Sequence, residues 1–172
     1  MPEVIRNGSI VSDNWVFVGL DEAHDAASPL PEGPIAVPLA TWSARRDELL
    51  RRRTPLGVWL APSDDPDSIR DAFDILSLVA VRFPKFTDGR GYSTAVLLRR
   101  AGYRGELRAF GDLGRDQLFY LARVGFDAFA LREREGLSSA VQSLKTFREV
   151  YQSSVDQPAP LFRRRQPAGT VQ

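Results

Sequence analysis

Four charged side chains, Arg82, Lys85, Asp88 and Arg90, cluster where an apolar run ends, with Gly89 and Gly91 among them. Arginine and lysine in that position suit a bound anion. A guanidinium offers a planar fork of donors to carboxylate, sulfate or phosphate, and lysine adds a point charge. Asp88 is placed to orient these cations or to take part in proton transfer. The segment Gly89-Arg90-Gly91-Tyr92-Ser93-Thr94 follows a strand pattern and opens a helix pattern. Set against the dinucleotide fingerprint G-x-G-x-x-G, it carries Thr94 in place of the third glycine. Its first glycine comes six residues after Phe83, late for a tight strand-to-helix turn. Two other readings stay open. Backbone amides at the helix start hold a phosphate or sulfate, or the glycines only permit the turn while Ser93 or Thr94 caps the helix.

One unit later, Gly111-Asp112-Leu113-Gly114-Arg115-Asp116-Gln117 repeats the design. If the two preceding strands are neighbours, Lys85, Asp88, Arg90, Asp112 and Arg115 converge at one edge of the sheet. Gly89, Gly91, Tyr92 and Ser93 then shape the first turn, and Asp116 stands beside Arg115. Phe86 and Tyr92 flank the glycine turn and either cover a ligand or fill the gap between sheet and helix. No catalytic residue and no cofactor can be named from these residues.

Other chemistry is bounded by what the chain lacks. It has no cysteine, which excludes disulfides, a thiol nucleophile, thiolate-held zinc and a self-ligated iron–sulfur cluster. His24 is the single histidine, so a histidine metal cluster or a Ser-His-Asp triad is not expected, and His24 reads as a solvated loop residue. Asp64, Asp65 and Asp67 have the oxygen chemistry for a divalent cation, but acids at a turn and first helical turn are ordinary caps, and no metal is expected. With 23 basic against 22 acidic residues the net charge is +1, which argues against a nucleic-acid partner. The basic triplet Arg51-Arg52-Arg53 suits the end of a helix. No stretch approaches the roughly 20 apolar residues that span a bilayer, and a soluble cytoplasmic protein is expected.

The elements that must position these side chains alternate. Strand patterns cover 14–20, 35–38, 56–60, 78–83, 106–110 and 126–131, and helix patterns run over 41–53, from 67 or 68, and over 92–101, 112–124 and 137–151. The expected fold is α/β: about five βα units with a parallel sheet, either open or a partial barrel, after an N-terminal extension carrying one strand. The extension spans 1–33, the α/β domain 34–151, and a disordered basic tail 152–172. If the sheet is parallel, Arg132 and Glu133 share the edge with the two turns.

The central residues carry a resemblance. Phe83-Pro84-Lys85-Phe86-Thr87-Asp88-Gly89-Arg90-Gly91-Tyr92-Ser93, Gly105-Glu106-Leu107-Arg108-Ala109, Gly111-Asp112, Arg115-Asp116-Gln117-Leu118 and Gly125-Phe126-Asp127-Ala128-Phe129 resemble an uncharacterised bacterial family. Its members are labelled probable oxidoreductases and are encoded beside the assimilatory sulfite or nitrite reductase and the phosphoadenylyl-sulfate reductase. The resemblance covers residues 35–151 and implies a place in sulfur assimilation. One of those reductases is the partner it implies, and an anionic small molecule is the partner the cations of the two turns suggest. It carries over no catalytic residues. A redox role would need a bound cofactor or a redox partner, since the chain has no cysteine of its own. The alternative it leaves is a non-catalytic subunit that docks on a sulfite or nitrite reductase.

Overall fold

A computed structural model of the chain describes residues 2–20, 28–131, 136–144 and 150–164. His24, Arg132, Glu133 and residues 145–149 of the last helix pattern lie outside the described residues, and Val150 and Tyr151 at that pattern's end are not helical. Eight strands form one sheet: β1 (Glu3–Arg6), β2 (Ser9–Ser12), β3 (Val16–Phe17), β4 (Ile35–Pro38), β5 (Leu56–Leu60), β6 (Leu78–Phe83), β7 (Glu106–Gly111) and β8 (Ala128–Ala130). Their order is β2-β1-β8-β7-β6-β5-β4-β3. From β3 to β8 neighbours are consecutive and parallel. β1 runs antiparallel to β8, and β2 antiparallel to β1. The alternating pattern therefore yields a largely parallel α/β sheet, but one of eight strands rather than five units. The additional strands are the N-terminal hairpin. Asn7 (φ 50°) and Gly8 (φ 74°) form its turn. Asn-Gly suits that backbone, because both central residues of the favoured two-residue hairpin turn need positive φ.

The sheet is open and strongly curled, a half-barrel. Laid flat, eight strands with seven gaps of ~4.8 Å would put the outer edges roughly 34 Å apart. Yet β2 lies at one edge and β3 at the other, and only Asp13, Asn14 and Trp15 join them. From Ser12 to Val16 an extended chain reaches at most roughly 14 Å. The edges must bend toward each other. The ring of Phe17 on β3 accordingly lies 4.9 Å from that of Phe110 on β7, four strands away.

Consecutive strand order with right-handed crossovers puts every connecting helix on one face. These are α1 (Leu39–Ala44), α2 (Arg46–Leu50), a 3₁₀ segment (Pro66–Ala72), α3 (Arg90–Arg100) and a 3₁₀ turn (Arg115–Gln117) running into α4 (Leu118–Arg123); α5 (Leu137–Ser143) follows β8 and packs with them. Trp42, Leu49, Ile69, Leu98, Leu121 and Leu137 from them join Val58, Val79, Val81, Phe83, Leu107 and Phe129 in the main core. The alternate strand residues face the concave side, where Ala36, Trp59, Leu78, Ala80 and Phe110 form a second core covered by Trp15, Phe17 and Leu20. Gly57 makes room there: a Cβ on it would sit 3.2 Å from the Trp15 ring and 2.9 Å from Leu78. Arg108 is fully buried on the same face, held by Glu106 (2.6 Å) and Asp13 (2.9 Å).

Several local expectations change. The helix over 41–53 is two short helices broken at Arg45, whose φ of −120° is not helical. Of the basic triplet, Arg52 donates to the carbonyls of Pro31 (2.7 Å) and Gly33 (3.0 Å), tying down the preceding loop. Asp65 accepts from Asp67 N–H (3.0 Å) and caps the 3₁₀ segment, whereas Asp64 accepts from Ala61 N–H (2.7 Å) and closes the turn after β5. At the C-terminal side, α6 (Leu161–Arg164) ends a described segment, 150–164, that lies along Arg123. Arg123 donates to Gln152 O (2.6 Å), and its own carbonyl accepts from Ser154 Oγ (2.7 Å) and Val155 N–H (3.1 Å). The remainder of the segment read as a tail, 165–172, lies outside the described residues. Among the described residues no helix is long and apolar enough to cross a membrane.

Candidate functional site

β6 and β7 end side by side, Phe83 opposite Gly111, so the two turns are neighbours as their sequences require. They are stitched together. Asp112 N–H donates to Phe83 O (2.8 Å), Phe86 N–H to Asp112 Oδ2 (3.3 Å), and Gln117 Nε2–H to Phe86 O (3.0 Å). Gly111 turns the chain at φ 112°, and a Cβ there would run into the Phe83 carbonyl oxygen.

The residues expected to converge divide into three groups. Asp88 and Arg90 pair with each other: Arg90 Nη2–H donates to Asp88 Oδ2 (2.7 Å), Nε–H to Oδ1 (3.0 Å), and Arg90 N–H also reaches Oδ1 (3.2 Å). That pairing holds the Asp88 carboxyl below the usual carboxylate range. The Asp88 carboxylate thus occupies the start of α3, where a bound phosphate would need open amides. Gly89 precedes α3 in open space, whereas Gly91 packs against the Phe83 ring so closely that a Cβ would overlap it. Ser93 is exposed on α3 and does not cap it. Tyr92 is half-buried between the rings of Phe83 (5.6 Å) and Tyr120 (5.4 Å), and burial pushes its phenol up. Lys85 is exposed.

Asp112, Arg115 and Asp116 line a cleft of about 940 Å³ between the second turn and α5, together with Phe86, Gln117 and Ser139. A second depression of about 490 Å³ opens at the mouth of the concave face, where Arg82, Phe110 and Ala130 meet Phe17 and Leu20. The two share Asp112 and Leu131. Arg82 belongs to the site by geometry. Its guanidinium lies 6.0 Å from the centre of the Trp59 ring, and the Trp59 indole N–H is fixed on Val18 O (2.8 Å). Among the described residues Arg82, Lys85 and Arg115 have no carboxylate within ion-pair distance, in contrast to Arg90 and Arg108. No group of three or more acidic or histidine side chains that could hold a metal occurs among the described residues.

In sequence Arg82 stands with the charged residues at the exit of β6 but outside the set expected to converge at the sheet edge. The signal was its parity: in Leu78-Val79-Ala80-Val81-Arg82-Phe83, it shares a face with Leu78 and Ala80, and a lone charge on an apolar face near a strand's C-terminal end points at a ligand. The strand order also bears on the nucleotide reading. A dinucleotide crevice forms where strand order reverses, and β3 to β8 run without reversal.

A family model for bacterial proteins of unknown function (DUF934) matches residues 57–162 of the 172. The chain belongs to this family. No curated protein matches it. In this DUF934 protein the match takes in β5 to β8, both exit turns, Arg82 and Arg115. Phe17 and Leu20, which cover the concave mouth, lie outside it.

Proposed function

We propose that the protein is an accessory factor of assimilatory sulfate or sulfite reduction that binds an anionic ligand at the C-terminal edge of its half-barrel. The observation that carries the binding is that Arg82 and Arg115, which lack acid partners among the described residues, line two adjoining depressions, with Lys85 exposed on the turn after β6. An unpaired guanidinium is a ready partner for a carboxylate, sulfate or phosphate. The pathway is supported by the resemblance to proteins encoded beside its reductases. A thermal-shift series with sulfate, sulfite, phosphate and adenylyl sulfate tests the binding. A ligand at about a hundred times its dissociation constant adds about 2.7 kcal/mol. The shift should vanish in Arg82→Ala or Arg115→Ala and persist in Arg90→Ala, whose guanidinium is already engaged by Asp88. No shift with any anion would overturn the binding.

Phe86 favours a second reading, docking on a sulfite or nitrite reductase. Its ring is 66% exposed while its backbone N–H and carbonyl are both held by the neighbouring turn. A rigidly presented aromatic is the usual anchor of an interface. Phe86→Ala should then release the reductase in a pull-down, and a complex that survives the substitution would overturn this reading.

A further inference from the structure

We infer that the mouth of the concave face takes a planar organic monoanion, with its acidic group on Arg82 and its flat part against Phe17 and Phe110. The inference rests on the anion-binding reading and narrows its ligand class.

Among the described residues the mouth offers one unpaired positive charge, Arg82. Arg108, the other arginine on this face, is consumed by Glu106 and Asp13. Arg82 is held in place by chemistry unrelated to any ligand. Trp59 is fixed through its indole N–H, and the guanidinium rests over that ring. A guanidinium stacked on an aromatic face keeps its in-plane N–H donors free to meet an acidic group side-on. One fork meets one acidic group.

The remaining surface decides what that group is attached to. Phe17 and Phe110 present tilted rings 4.9 Å apart, and Leu20, Ala130 and Leu131 complete the walls. A small inorganic anion would leave these apolar walls uncovered. A flat ring would bury them while its acid reaches Arg82, and aromatic surfaces add stacking to the area they bury. A volume of about 490 Å³ has room for one or two rings. Carboxylates set the upper limit on charge. Glu3 and Asp112 also line the mouth, and their charges would repel a second negative group, so a polyphosphate fits poorly.

Calorimetric titration of the whole chain with benzoate, 2-naphthoate, acetate, inorganic sulfate and pyrophosphate tests this. The aromatic carboxylates should bind at least tenfold tighter than acetate or pyrophosphate. Arg82→Gln should weaken them at least tenfold. Ala130→Met, which fills the mouth without touching a charge, should weaken 2-naphthoate while leaving the far-ultraviolet circular dichroism unchanged. Sulfate binding that depends on Arg82, without aromatic binding, would overturn this inference and leave the broader anion reading standing. Binding of 2-naphthoate that survives Arg82→Gln would overturn it, as would pyrophosphate binding tighter than benzoate. Failure of every probe would overturn both.

Discussion

Gly91 looks like part of a phosphate-binding turn and is instead a packing glycine. It lets α3 lie directly on the Phe83 ring, which is fully buried and wedged against Tyr92 and Phe126. Gly91→Ala should cost about 1–3 kcal/mol in urea unfolding from overpacking, although alanine is the better helix former by about 1 kcal/mol. An unchanged midpoint would show that Phe83 can move aside. Asp127 supplies a pH dependence. It accepts from Leu107 N–H (2.9 Å) and Arg99 Nη2–H (2.7 Å). Burial nonetheless raises its carboxyl above the ordinary value of 3.8, against the pull of Arg99. In the window between the unfolded and folded values the folded state binds more protons. Its contribution is complete below the unfolded value and is lost as pH rises through the folded one. The urea midpoint of the wild type minus that of Asp127→Asn should therefore fall as pH rises from about 3 to about 7. A rising difference would mean that the Arg99 pair outweighs burial. At this scale the sequence was legible as to type and misleading as to use. Asp88 and Arg90 are two residues apart at a turn, close enough to neutralise each other, and spacing alone does not reveal whether such a pair faces a ligand or itself.

Among the elements, the strands after Pro34 were readable because both faces of the sheet are covered and their apolar runs are nearly continuous. The helices were readable in position but not in continuity, since nothing in the 41–53 pattern marks the break at Arg45. The hairpin β1–β2 was readable in principle from Asn7-Gly8, but its strands are only four residues each, too short for alternation to stand out. That hairpin is attached through charge as well as through β8. Arg108 binds Asp13 directly after β2, and Glu106 reaches back to Arg6 on β1 at 3.4 Å. Arg108→Met would leave two carboxylates facing each other in a dry setting, which typically costs about 3–5 kcal/mol. The expected result is a large loss of thermal stability, with residues 2–13 the first to be cut in limited proteolysis. A loss under about 1 kcal/mol would mean that the cluster is hydrated and the hairpin held by its strand pairing alone.

For the whole molecule, the α/β class and the meeting of the two exit turns followed from alternation. The curl did not, because it depends on which strands form the edges. Once β2 and β3 are known to be the edges, the three residues between them determine the shape. That short link also sets an order of events while the chain is being made. β3 can pair with β4 as soon as both have emerged. β1 pairs with β8, and Asp13 with an arginine ninety-five residues further on. Although the hairpin is made before the other strands of the sheet, it is therefore the last of them to find its place. Until β7 and β8 are synthesised, Val4, Ile5 and the ring of Phe17 lack part of the surface they cover in the finished sheet, the kind of transient apolar exposure that favours association with other chains.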